Sequence, residues 1–195
     1  MTKESIHSKN VFILPIIFFC FVFHSISILA QLKIQDISKN INFGHRIGKR
    51  NTDSIDIIII HSNYYKGNDP YSPQKCIYQF RKYDVAPHYL ITRKGEVIQL
   101  VKECDVAWHA GNSNLKGTKR YNLNTNSIGI EIINTRYTAP NPQQYTALKL
   151  LTMDIRSRYR IQYILGHSDC ASGRKDDPWN FDWEQYYNSI NWVNK

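Results

Sequence analysis

Apolar residues along this chain switch between an almost continuous pattern and a helical period, and the switches mark out the elements. Residues 55–60 are nearly unbroken isoleucine, as a strand buried on both faces requires. Ser72 then offers a helix N-cap with Pro73 in the first turn, and Cys76, Ile77, Phe80 and Tyr83 follow at helical spacing. Residues 88–92 and 96–101 are β-rich runs joined across Lys94 and Gly95, which predicts a hairpin. A further strand is expected over 127–133. Asn141 and Pro142 open a second helix whose apolar stripe runs Tyr145, Leu148, Leu151, Ile155 and Tyr159. Residues 163–165 read as a short strand and 181–192 as a terminal aromatic helix. Strands alternating with helices predict an α/β fold: a single domain with a central mixed β-sheet flanked by helices.

The two ends of this pattern differ from its middle. Residues 1–30 carry Lys3 and Lys9, then an apolar run over 11–23 continued by Ile26, Ile28, Leu29 and Ala30. That is the layout of a secretory signal peptide, or of an N-terminal anchor if it is not cleaved. Pro15 and His24 interrupt the run and favour cleavage. Cys20 makes a poor lipid-attachment site, because Phe18 and Phe19 stand where small residues are needed. Residues 31–53 are polar, with His45–Arg46 and Lys49–Arg50 as basic pairs, and read as an arm leading into a catalytic domain over 54–190.

Composition narrows the class. With 42% hydrophobic and 13% aromatic residues the chain can build a core, which excludes a disordered protein. Four cysteines in 195 residues exclude a disulfide-stapled mini-protein. Cys76, Cys104 and Cys170 leave room for one bridge in an oxidising compartment. Twenty-five Lys and Arg against 16 Asp and Glu give a net charge of +9, which suits an anionic partner or a solvated basic face. No aromatic-interleaved basic motif points to nucleic acid.

Three histidines stand at element ends: His61 after the isoleucine run, His109 in Trp108–His109–Ala110–Gly111, and His167 after Leu165–Gly166. His167 is followed by Ser168 and Asp169, then by Gly173–Arg174–Lys175–Asp176–Asp177–Pro178. Two imidazoles and one carboxylate make a zinc set with a fourth position open to water; there is no His-Glu-x-x-His motif. Glu131 is a lone charge in an apolar strand, on one face with Gly129 and Ile133. A carboxylate there pairs with a lysine, or faces a cleft as a general base with a raised pKa.

Five segments in order carry a resemblance: residues 57–62, 86–91, 107–111, 127–131 and 165–178. Together they resemble the zinc-dependent N-acetylmuramoyl-L-alanine amidases of the type-2 amidase family, in particular its AmpD/AmiD branch. Peptidoglycan recognition proteins and phage amidase endolysins belong to the same family. The resemblance implies one Zn2+ held by His61, His167 and Asp177 in a cleft at the strand ends. It implies Glu131 as proton acceptor, Lys175 as transition-state stabiliser, and Trp108 and His109 lining the cleft near the sugar–peptide junction; His88 is structural. The implied reaction is hydrolysis of the amide between N-acetylmuramic acid and L-alanine in peptidoglycan or muropeptides, for wall remodelling or recycling. A non-catalytic peptidoglycan-binding protein on the same fold, or an exported lytic amidase acting on other cells, are the alternatives. The implied molecule is an exported monomer of the periplasm or cell envelope. It binds no nucleic acid and touches a membrane only through residues 1–30 if these are retained. Two positions depart from the family pattern: Ser172 in place of proline, and Trp179 after Pro178 in place of glycine, which reshapes one wall of the cleft.

Overall fold

Ile57, Ile58, Ile59 and Ile60 are all wholly buried in the computed structural model, which describes residues 31–48 and 50–193. Their strand, β3 (Ile57–Asn63), lies between two parallel neighbours and so has no exposed edge. On one side β7 (Ser127–Ile133) pairs with it along its full length, from Ile57 opposite Ser127 to Asn63 opposite Ile133. On the other, β8 (Tyr163–Gly166) forms the sheet edge. Beyond β7 come β4 (Tyr89–Ile91), parallel to it, and β5 (Val97–Gln99), antiparallel to β4 as the hairpin signal predicts. The far edge is β1 (Ile34–Asp36), parallel to β5. The sheet is therefore mixed, six strands in the order β1-β5-β4-β7-β3-β8.

Strand periodicity decides what each face receives. Ile58 and Ile60, with Ile128, Ile130 and Ile132, pack in one core against Ala147, Leu148, Leu151 and Ile155 of helix α2 (Pro142–Arg158) and Tyr186 of α4 (Trp183–Ser189). The odd-numbered positions point the other way. Ile57 and Ile59 meet Ala110, Leu115, Leu123 and Cys170, and His61 and Glu131 follow on that face. Helix α1 (Pro73–Lys82) supplies Cys76 and Phe80 to a third cluster with Leu90, Ile98 and Ile133. The predicted caps are present: Ser72 accepts from the Lys75 N–H, and Asn141 and Gln144 form a reciprocal capping box.

The polar stretch after residue 30 is part of the fold. Besides β1, it supplies β2 (His45–Arg46), antiparallel to β6 (Val106–Ala107), and the buried guanidinium of Arg50. Arg50 donates to the carbonyls of Glu103, Asn124 and Ser127, which offsets the cost of burying its charge. The terminal helix is shorter than its aromatic run suggests, because Asp182 caps it and leaves Phe181 outside. Cys76, Cys104 and Cys170 are all free thiols. Among the described residues no helix is long and apolar enough to cross a membrane; the expected signal or anchor over 1–30 lies outside them.

Candidate active site

His61 and Glu131 stand in register on neighbouring strands, on the sheet face that α2 leaves open. His167 joins them from the next strand over, at the start of the one-turn helix α3 (His167–Cys170) that follows β8. The strand ends there because the Gly166 N–H donates to the Asp169 carboxylate, 2.7 Å away. The loop after α3 is pinned back by two bonds: the Ser168 N–H to the Asp177 carbonyl at 2.8 Å, and the Trp179 N–H to the Ser62 hydroxyl at 3.0 Å. Gly166 allows that close return, since a Cβ there would lie 2.9 Å from Pro178 Cδ.

These constraints bring three predicted ligands together. His61 Nδ1 lies 3.0 Å from His167 Nδ1, and the Asp177 carboxylate lies 3.2 Å from His167 Nδ1 and 3.5 Å from His61 Nδ1. All three residues are buried, and their ligand atoms fall within 4.8 Å of one another. His167 Nε2 is 3.2 Å from the Ala110 carbonyl, which can only accept, so in the neutral ring the proton sits on Nε2 and Nδ1 presents a lone pair to the cluster. Burial pushes the His61 imidazole down to about 4, and the nearby His167 adds to the effect. Two imidazole nitrogens and a carboxylate converging in the interior are a donor set that fits a divalent metal of the zinc class.

Beside them Glu131 carries an oxygen, Oε2, that is shielded from solvent and has no hydrogen-bond partner. Burial pushes this carboxyl well above the usual range; the charge of Asp177 adds to the shift and that of Lys175 opposes it. Glu131, Lys175, Asp177 and His167 line a cleft of about 540 Å³ together with Trp108, His109 and Trp179. Trp108 is 39% exposed at its rim. His109 is buried beneath, with both ring nitrogens on protein atoms: Nδ1 is 3.0 Å from His61 Nε2 and Nε2 is 3.2 Å from Ser127 Oγ. Trp179 also lines the cleft, with the Arg136 guanidinium 4.7 Å from its ring centre, its indole N–H on Asp176 and its ring in an edge-to-face contact with Tyr64.

His88 is buried away from the ligands and accepts from the Gly129 N–H. Cys170 stands outside the ligand group, its thiol on the His167 carbonyl. Sequence reasoning missed Asn124, whose side-chain oxygen accepts from the N–H groups of His109 and Ala110, and Arg174, which donates to the Ala110 carbonyl. Both act on backbone, and only the placement of Arg174 beside Lys175 hinted at either.

Comparison with known proteins agrees with this geometry. The family model for N-acetylmuramoyl-L-alanine amidase matches residues 51–180. The chain is 33% identical over 188 residues to the 1,6-anhydro-N-acetylmuramyl-L-alanine amidase AmpD of Haemophilus influenzae, an alignment covering 81% of this chain and 98% of that one. Among solved structures, the crystal structure of a selenomethionine AmpD derivative superposes with a TM-score of 0.66 at 27% identity, over 83% of this chain and 96% of that one. The AmiD amidase of E. coli, in complex with the substrate anhydro-N-acetylmuramic acid-L-Ala-D-gamma-Glu-L-Lys, superposes at 0.61 and 30% identity, over 74% of this chain and 60% of that one. By fold, ligand cluster and sequence, the chain belongs to the N-acetylmuramoyl-L-alanine amidase family.

Proposed function

We propose that this amidase is a zinc enzyme, with His61, His167 and Asp177 holding the ion, and that it cuts the amide between N-acetylmuramic acid and L-alanine in muropeptides. The observation that carries the reading is the convergence of two imidazoles and a carboxylate beside a carboxylate oxygen without a partner. When bound, the ion supplies Lewis-acid polarisation of the amide carbonyl and acidifies the attacking water.

The remaining steps belong to the protein. Glu131, with a raised pKa and an open oxygen, takes the proton of the attacking water and passes it to the departing alanine nitrogen. Lys175 enters the same cleft, and its positive charge compensates the negative charge that develops on the carbonyl oxygen. Trp108 and Trp179 offer apolar walls to the sugar and the peptide stem. The substrates named for AmpD and AmiD support a muropeptide carrying the anhydro sugar. The apolar run over 11–23 supports export to the periplasm or envelope.

The test is incubation of the chain lacking residues 1–30 with purified sacculi and with anhydro-muropeptides, with and without a chelator. Free stem peptides beginning at L-alanine, lost on chelation and restored by zinc, are the expected products by mass spectrometry. Metal-replete, folded protein that releases no peptide from either substrate overturns the proposal.

A further inference from the structure

Behind the converging ligand atoms runs a line of buried side chains that the proposed reaction does not use. It starts at Ser127, whose Oγ lies 2.7 Å from the Leu123 carbonyl oxygen. Two oxygens that close need a proton between them, and only the hydroxyl has one to give. With its proton committed there, Ser127 Oγ can only accept in its 3.2 Å contact with His109 Nε2, so the His109 N–H sits on Nε2. The Nδ1 of that neutral ring is then bare, and it faces His61 Nε2 at 3.0 Å. His61 Nε2 must donate, which leaves the lone pair of its Nδ1 directed at His167 and Asp177. The orientation of His109 is itself fixed from two sides. Asn124 Oδ1 accepts from its backbone N–H at 3.2 Å, and its ring packs so closely on Gly129 that a Cβ there would come within 2.4 Å.

We infer that His109 and Ser127 are positioning residues for the metal: the chain Leu123–Ser127–His109–His61 fixes the tautomer and the aim of His61, so that its Nδ1 is prepared as a ligand before the ion arrives. This rests on the zinc reading above and adds a role for two residues that stand behind the ligands. The same device operates on the other imidazole in a single step, through the Ala110 carbonyl. Partners behind a metal-bound histidine commonly contribute a roughly 10- to 100-fold effect on affinity.

Long-range 1H–15N spectra of the metal-free enzyme read ring protonation directly, and chelator competition reads the zinc dissociation constant. In the wild type both His61 and His109 are expected to carry the proton on Nε2, with Nδ1 bare. Ser127→Ala removes the acceptor for His109, so its single tautomer becomes a mixture and zinc binding weakens by roughly 10-fold. His109→Phe keeps a ring of similar bulk, removes the acceptor for His61 and weakens zinc binding further. A protonated Nδ1 on either wild-type ring overturns the inference, and so does zinc binding within about twofold of wild type in folded Ser127→Ala. If His109→Phe does not fold, the wild-type spectra and Ser127→Ala still decide. A wild-type enzyme that binds no zinc yet shows both predicted tautomers would instead bring down the zinc reading and leave the relay standing.

Discussion

At the scale of single residues, the site separates groups that hold the metal from groups that move charge. Glu131 Oε2 has no partner in the protein, so replacing the carboxyl by an amide breaks no hydrogen bond that the fold relies on. Glu131→Gln should therefore keep its zinc and its stability while kcat falls by about 10²- to 10⁴-fold, the usual contribution of a positioned general base. Zinc content and turnover measured on the same preparation check this; metal lost along with activity would move Glu131 into the ligand shell. Lys175 is asked to act only as charge develops. Lys175→Ala should lower kcat by about 10²-fold with KM little changed, and a change confined to KM would assign it to ground-state binding. Asp177→Ala removes one of three donors and should lose metal and turnover together.

At the scale of elements, the two sides of the sheet carry different duties. Helix α2 packs on the face opposite His61 and Glu131, and its N-terminus is held by Asn141, which also donates to the Arg93 carbonyl at 2.8 Å. Asn141→Ala should cost about 1 kcal/mol of stability in urea unfolding and leave kcat/KM where it was. The turn from β8 into α3 behaves in the opposite way. A methyl at Gly166 would press on Pro178 Cδ at 2.9 Å and on Trp183 at 3.1 Å, displacing the residue next to Asp177. Gly166→Ala should weaken zinc retention out of proportion to any loss of thermal stability, as a chelator titration would show. Legibility divides along similar lines. The strands at the sheet centre were readable because burial on both faces leaves an unbroken apolar run at residues 57–60 and, at 128–133, a run of isoleucines interrupted only by Gly129 and Glu131. β1 and β2 were not readable. They are two or three residues long, half exposed, and take their register from β5 and β6 rather than from a pattern of their own. A single turn such as α3 is too short for a helical period to show.

At the scale of the whole molecule, distant segments have to meet, and sequence carries that information unevenly. His61, His167 and Asp177 were identifiable because side chains with metal chemistry stand in ordered motifs, whereas the carbonyls of Ala110 and Leu123 that orient them belong to a backbone every residue has. The same convergence concentrates neutral imidazoles in the interior, and this sets how the fold responds to acid. Burial holds His61 down to about 4 and pushes His88 and His109 well below the ordinary histidine range; the Arg50 charge adds to the shift on His88 and the neighbouring histidines to that on His109. Below about pH 6.5 the unfolded chain takes up a proton at each of these rings and the folded chain does not, so protons favour unfolding. The stability they allow is complete above that pH and declines as it falls, by up to about 1.4 kcal/mol per pH unit for each ring until the folded state itself protonates. Metal-free enzyme should therefore show urea midpoints that drop between pH 7.5 and 5.5. Zinc should raise the midpoint at pH 7.5, because it binds the assembled donors of the folded chain and not the unfolded one. Midpoints that stay level across this range in the metal-free enzyme would mean that the rings take up protons equally in the folded and unfolded chains, and the donor set at the head of the cleft would then have to be assigned differently.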